Sequence, residues 1–203
     1  MRGYKRIGIN GIIEDGSQRS FFPTGFNFYV YARTLFDSSL TTEQLAEEYF
    51  SCAFGEDWKQ FYDYLEKISD AFGHAYMEGE ESADDEICLY YNPALASRFE
   101  SVKALTAQGR KLIEAHYNMP YRTQTVSVRL LELHALYCDM LADALILKCQ
   151  GKDAEGKAAL EEMKAECGKY EAYFQPIYDH YLACISLDRI FNMVTKHTGP
   201  EIY

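Results

Sequence analysis

Apolar residues recur at three- and four-residue spacing along most of this 203-residue chain, the period of a helix that buries one face. Phe28, Tyr31, Ala32 and Leu35 predict a helix over about 24–36. Thr41 opens the next: its hydroxyl can accept from the Gln44 amide while the Gln44 side chain reaches back, and Leu45, Tyr49, Cys52 and Ala53 line one face up to a stop at Gly55. A third helix is expected over about 56–77, with Trp58, Phe61, Tyr62, Leu65, Ile68 and Phe72 as its stripe and Gly73 weakening its end. Asn92 and Pro93 supply an N-cap and a first-turn proline for a helix to about Tyr117. Pro120 starts another, in which Val126, Leu130, Leu133, Tyr137, Leu141 and Ala144 continue toward Gly151, long enough to be the central helix of a bundle. The last helical stretch, from Asp153 to about Lys196, should kink or break at Pro176.

Two segments read differently. YKRIGINGII, residues 4–13, is β-branched and extended, and EICLYY, residues 86–91, is the one other plausible strand. Either these two pair, or the first belongs to a sheet completed elsewhere. The fold expected is mainly α: an antiparallel helical bundle of about six helices, with a short N-terminal extended segment and at most one small strand pair. Residues 1–23 form the extended segment and loop, and 24–203 the helical domain.

Composition narrows the function. Hydrophobic residues at 48% and charged ones at 25% are those of a chain that folds around a core. A net charge of −11 repels phosphate backbones and anionic headgroups, so neither nucleic acid nor a membrane surface is expected as a partner. No 18-residue apolar run is present, and Asn10, Glu14 and Asp15 interrupt the hydrophobic stretch a signal peptide would need. The six cysteines form no Cys-x-x-Cys pair and mostly fall in apolar helical stretches, so reduced, buried thiols and a cytoplasmic location are expected. The excess of aromatics, 17 Tyr and 12 Phe, suits wide helix packing or carbohydrate stacking.

Chemical motifs are sparse. Di-iron bundles need Glu-x-x-His on two helices, yet the residues three before each histidine are Ala71, Ile113, Leu131, Ile177 and Val194. Zinc-protease, phosphate-loop, dinucleotide and serine-hydrolase signatures are missing as well, so no metal, cofactor or catalytic residue is expected. The six carboxylates between Glu78 and Glu86 lack the ligand alternation of a calcium loop and read as a solvated turn. Glu14 and Asp15 directly follow the apolar strand, with Arg19 close behind. A strand's C-terminal end is where barrels place ligand-binding side chains, so Glu14, Asp15 and Arg19 are candidate ligand-binding residues, and the alternative is a charged turn that begins a loop.

The run GFNFYVYARTLFDSSLTTEQLAEEYFSCAFGEDWKQFYDYLEKISDAF resembles the C-terminal helical part of a family of glycoside-hydrolase-like barrel proteins, distantly similar to α-glucuronidases. The pattern shared is a tyrosine-containing helix ending in LFDSS, a helix of the form LxxEYFxxxFG, and an aromatic helix of the form WxxFYxYLE. GINGIIEDGSQRSFFPTGFNFYV is similar to the passage from the final barrel strands into that helical region. The resemblance implies the tail of a longer polypeptide, with Lys5–Ile13 as a last strand, an upstream barrel that holds the catalytic carboxylate pair, Asn10, Glu14 and Asp15 facing the cleft, and a homodimer. The function expected is a non-catalytic helical domain of a carbohydrate-active protein, acting in packing, dimerisation or cleft shaping. The alternative is a free-standing helical interaction module with aromatic grooves, and a third reading is an enzyme working through Glu14, Asp15 and a helix-borne tyrosine.

Overall fold

The computed structural model describes residues 7–9, 11–13, 19–73 and 93–193. Among them are seven helices of eleven residues or more, a four-residue helical turn and a single 3-10 turn, with no strand. In order these are α1 (Phe26–Phe36), α2 (Thr42–Phe54), the 3-10 turn Gly55–Asp57, α3 (Trp58–Phe72), α4 (Pro93–Ala115), α5 (Arg122–Cys149), α6 (Asp153–Gly168), the turn α7 (Glu171–Phe174) and α8 (His180–Met193).

Local chemistry sets several of these boundaries. The Gln44 amide donates to the Thr41 hydroxyl at 3.2 Å, and the Thr41 amide donates to the Gln44 side-chain oxygen at 2.9 Å. This reciprocal cap starts α2 by satisfying two amides that a helix N-terminus leaves free. The helix ends at Gly55, whose φ of 74° a side-chain-bearing residue would adopt only under strain. Pro176 lies between α7 and α8, where the expected break occurs.

Consecutive helices run antiparallel, as their side-chain pairs show. Phe61 packs against His116 and Phe72 against Phe99, so α3 descends where α4 rises. Lys103 pairs with Asp143 at 2.5 Å and Arg110 with Asp139 at 2.6 Å, while the buried Thr106 hydroxyl also donates to Asp139, which fixes α4 against α5. Lys164 and Asp188, 2.5 Å apart, join α6 to α8. Where α5 turns into α6, the ammonium of buried Lys148 pairs with Asp153 and lies 4.6 Å from the centre of the Phe191 ring.

Helix α5 is buried on several sides at once, through Leu130, Leu131, Leu133, Ala135, Cys138 and Leu141. Each large aliphatic side chain removed from water contributes roughly 1.5–3 kcal/mol, so this helix holds much of the apolar burial. One core cluster joins α3, α4, α5, α6 and α8. The other is aromatic and joins α2, α3, α4 and α5, with Phe54 stacked on Phe61 at 4.6 Å between centroids. Tyr64 of α3 lies so close to Gly109 of α4 that a Cβ there would sit 2.3 Å from the ring.

Several expected faces are rotated. Ala32 and Leu35 of α1 are exposed, and α1 meets α2 instead through Phe26 and Tyr29 against Tyr49 and through Arg33 paired with Glu48. In α2 the buried positions are Leu45, Ala46, Phe50 and Phe54, while Cys52 faces solvent; the two phenylalanine rings remove more area from water than a thiol could. Val126 is exposed, and Cys184 is half-buried, so among the described cysteines burial holds for Cys138, Cys149 and Cys167. Helix α3 starts at Trp58 and ends at Phe72, and α4 ends at Ala115. Residues 7–9 and 11–13 form no strand, and Ile7 and Ile13 are exposed. The expected strand at 86–91, the acidic stretch at 78–86, Cys88 and Asn92 lie outside the described residues.

Candidate functional site

Of the four residues singled out in the sequence, Asn10, Glu14 and Asp15 lie outside the described residues. Arg19 is described, and its guanidinium is engaged within the chain. It donates to Asp179 at 2.7 and 3.2 Å and to Glu171 at 2.9 Å. Asp179 is held below the ordinary carboxylate range, first by the Leu182 amide and then by Arg19. Beside this clamp, Ser20 bridges Tyr178 in antiparallel fashion and the Phe21 amide donates to the Ile177 carbonyl at 3.1 Å. Arg19 therefore fastens the stretch before α1 to the α7–α8 connection, through carboxylates more than 150 positions away that no local spacing reveals.

The clamp delivers Phe22 to the body of the bundle, where its ring meets His134, Tyr137 and Tyr178 at 5.8, 5.4 and 5.1 Å between centroids. Next to it a cleft of about 730 Å³ opens between the 20–28 segment, α3 and α5. Phe22, Phe26, Phe72 and Tyr137 wall it, and Asn27, Glu66 and Asp70 stand among its polar positions.

At the cleft, His134 and Cys138 sit one turn apart on α5, with Nε2 3.3 Å from Sγ. A nucleophilic cysteine–histidine pair needs a thiolate beside an imidazolium. Burial works against both charges here: it raises the Cys138 thiol above its ordinary value and lowers His134 to about 4. The pair is neutral around pH 7 and packs as a core contact. His134 Nδ1 is buried and has no hydrogen-bond partner among the described residues. The same His-x-x-x-Cys spacing recurs in α8, where His180 Nε2 lies 3.4 Å from Cys184 Sγ and the Tyr178 hydroxyl meets His180 Nδ1 at 3.1 Å. That repeated spacing is legible in the sequence and would have found both pairs. Among the described residues no three His, Cys, Asp or Glu side chains are grouped as a metal would need.

A second concavity, about 570 Å³, lies where α5 meets the stretch around α7. Tyr117, Tyr170, Tyr173 and Phe174 supply rings, and Arg129 and Glu132 of α5 supply charge. Tyr173 is 80% exposed. The Arg129 guanidinium lies 4.6 Å from the centre of the Tyr117 ring and donates to the Asn118 side chain at 2.8 Å, which holds its plane in place.

Comparison with known protein families, curated proteins and solved structures found no match to this chain. The aromatic cleft and the tyrosine-lined concavity are features of this chain that can hold a ligand. Their residues come from elements far apart in sequence, and the only advance sign of them is the surplus of tyrosine and phenylalanine. No helix among the described residues is long and apolar enough to cross a membrane.

Proposed function

We propose that this chain is a non-catalytic helical domain of a carbohydrate-active protein, and that the tyrosine-lined concavity beside α5 is its sugar-contacting surface. The observation that carries this reading is the placement of Tyr173, 80% exposed, in one concavity with Tyr117, Arg129 and Glu132. A pyranose ring presents apolar C–H faces, which pack on an exposed phenol ring, and hydroxyls around its edge, which suit planar polar groups such as a guanidinium and a carboxylate. Arg129 is already oriented by Tyr117 and Asn118, so little side-chain freedom is lost when a ligand binds. On this reading the reacting carboxylates belong to a barrel domain outside the chain, and the helices here shape and extend its cleft.

The test is a titration of the chain with oligosaccharides of glucose, of xylose and of uronic acids, followed by calorimetry. Saturable binding of at least one class is expected, weakened about tenfold by Tyr173→Ala, the equivalent of roughly 1.4 kcal/mol. Failure of every class to saturate, or an affinity unchanged in Tyr173→Ala, overturns the proposal.

A further inference from the structure

The cleft beside Phe22 has a chemistry distinct from that of the tyrosine concavity. Its walls are aromatic, and the charged residues in its lining are both acidic: Glu66 and Asp70 belong to it, and among the described residues no lysine or arginine does. These two carboxylates stand one helical turn apart on α3, both exposed, and neither has an ion-pair partner among the described residues. Like charges at that spacing repel, so a cation placed between them relieves a tension already in the helix. Arg98 of α4 packs over Gly73 and donates to the Asp70 backbone carbonyl, and it is not among the residues that line the cleft. His134 adds no positive charge at neutral pH, because burial holds it at about 4. The chain's net charge of −11 draws cations toward the protein as a whole.

Size and wall chemistry narrow the ligand. A cleft of about 730 Å³ matches the volume of small-molecule sites and is far larger than a bare metal ion needs. Aromatic faces carry negative potential and attract organic ammonium groups, which shed water more readily than small inorganic ions. We propose that this cleft binds a small organic cation, its ammonium head at Glu66 and Asp70 and its apolar part against Phe22, Phe26, Phe72 and Tyr137. The site is independent of sugar binding and stands or falls separately from it.

The test uses the whole chain and benzyltrimethylammonium as the probe, with benzyl alcohol and benzenesulfonate as neutral and anionic counterparts, followed by ligand-observed NMR. The cation should bind saturably, about tenfold more tightly than the alcohol, and the sulfonate should not saturate. The double substitution Glu66→Gln with Asp70→Asn lies on the exposed side of α3 and should leave the circular dichroism spectrum unchanged while reducing the cation's affinity to that of the alcohol. A second variant, Phe72→Leu, should weaken cation and alcohol alike. Equal affinity for the cation and the alcohol, no saturation by the cation, or full retention of cation affinity in the double variant overturns the proposal.

Discussion

Gly109 of α4 lies against the Tyr64 ring of α3, and replacing it with alanine makes a two-sided prediction. An alanine is favoured over glycine in a helix interior by about 1 kcal/mol, so in an uncrowded helix Gly109→Ala would stabilise. Here the new methyl would sit 2.3 Å from Tyr64 Cε2, 2.4 Å from Cζ and 2.9 Å from the hydroxyl oxygen. Tyr64 is only 7% exposed and belongs to the larger core cluster, so its ring has little room to withdraw. Overpacking of a well-filled core costs about 1–3 kcal/mol, and an approach this close to a ring belongs at the upper end. The net expectation is a loss of about 2 kcal/mol. In a Tyr64→Leu background the offending atoms are gone, and the same substitution should instead stabilise by about 1 kcal/mol, a coupling of roughly 3 kcal/mol between the two positions. Urea denaturation followed by far-UV circular dichroism would measure all four chains, with unchanged slopes licensing the comparison. If Gly109→Ala stabilises both backgrounds equally, the ring does not press on that backbone and the packing described for α3 and α4 is wrong.

The two remaining predictions concern titration and reactivity. His116 Nε2 donates to the Asp57 carboxylate at 3.0 Å, and this bond raises its pKa above the ordinary 6.5, so the contact's stability is fully present below 6.5 and is lost as pH rises through the raised value. His116→Gln should therefore flatten the decline in melting temperature above that pH, and an identical decline in both chains would show that the pair contributes nothing. Cys52 is exposed whereas Cys138, Cys149 and Cys167 are buried, so brief iodoacetamide treatment of the native chain should modify Cys52 and leave those three untouched until denaturant is added. Peptide mass spectrometry locates the label, and early labelling of Cys138 would contradict the packing beside His134.

Much of the fold was legible because its signals are local. The Thr41–Gln44 cap, the break at Pro176 and the long apolar repeat of α5 each depend on residues a few positions apart. Faces were harder. In α1 and α2 large apolar residues occupy more than one stripe, so periodicity permits several orientations, and the neighbours decided for Phe50 and Phe54 over Cys52 and for Tyr29 over Leu35. Sites were harder still. Arg19 attracted attention as a neighbour of Glu14 and Asp15, but its carboxylate partners arrive from the other end of the chain. Tyr117, Arg129 and Tyr173 likewise carry no mutual spacing, and what joins them is the packing of a loop, a helix and a short turn.

Arg19 and Asp179 are 160 positions apart, so their contact closes nearly the whole described chain into a ring. Bringing such distant points together forfeits more chain freedom than any helix hairpin in the bundle, and contacts of that kind tend to form last. Phe22 lies three residues beyond Arg19 and walls the aromatic cleft, so that cleft is complete only when this long closure is made. Any molecule held there favours the closed ring over every partly assembled form, by an amount that grows with its concentration relative to its dissociation constant.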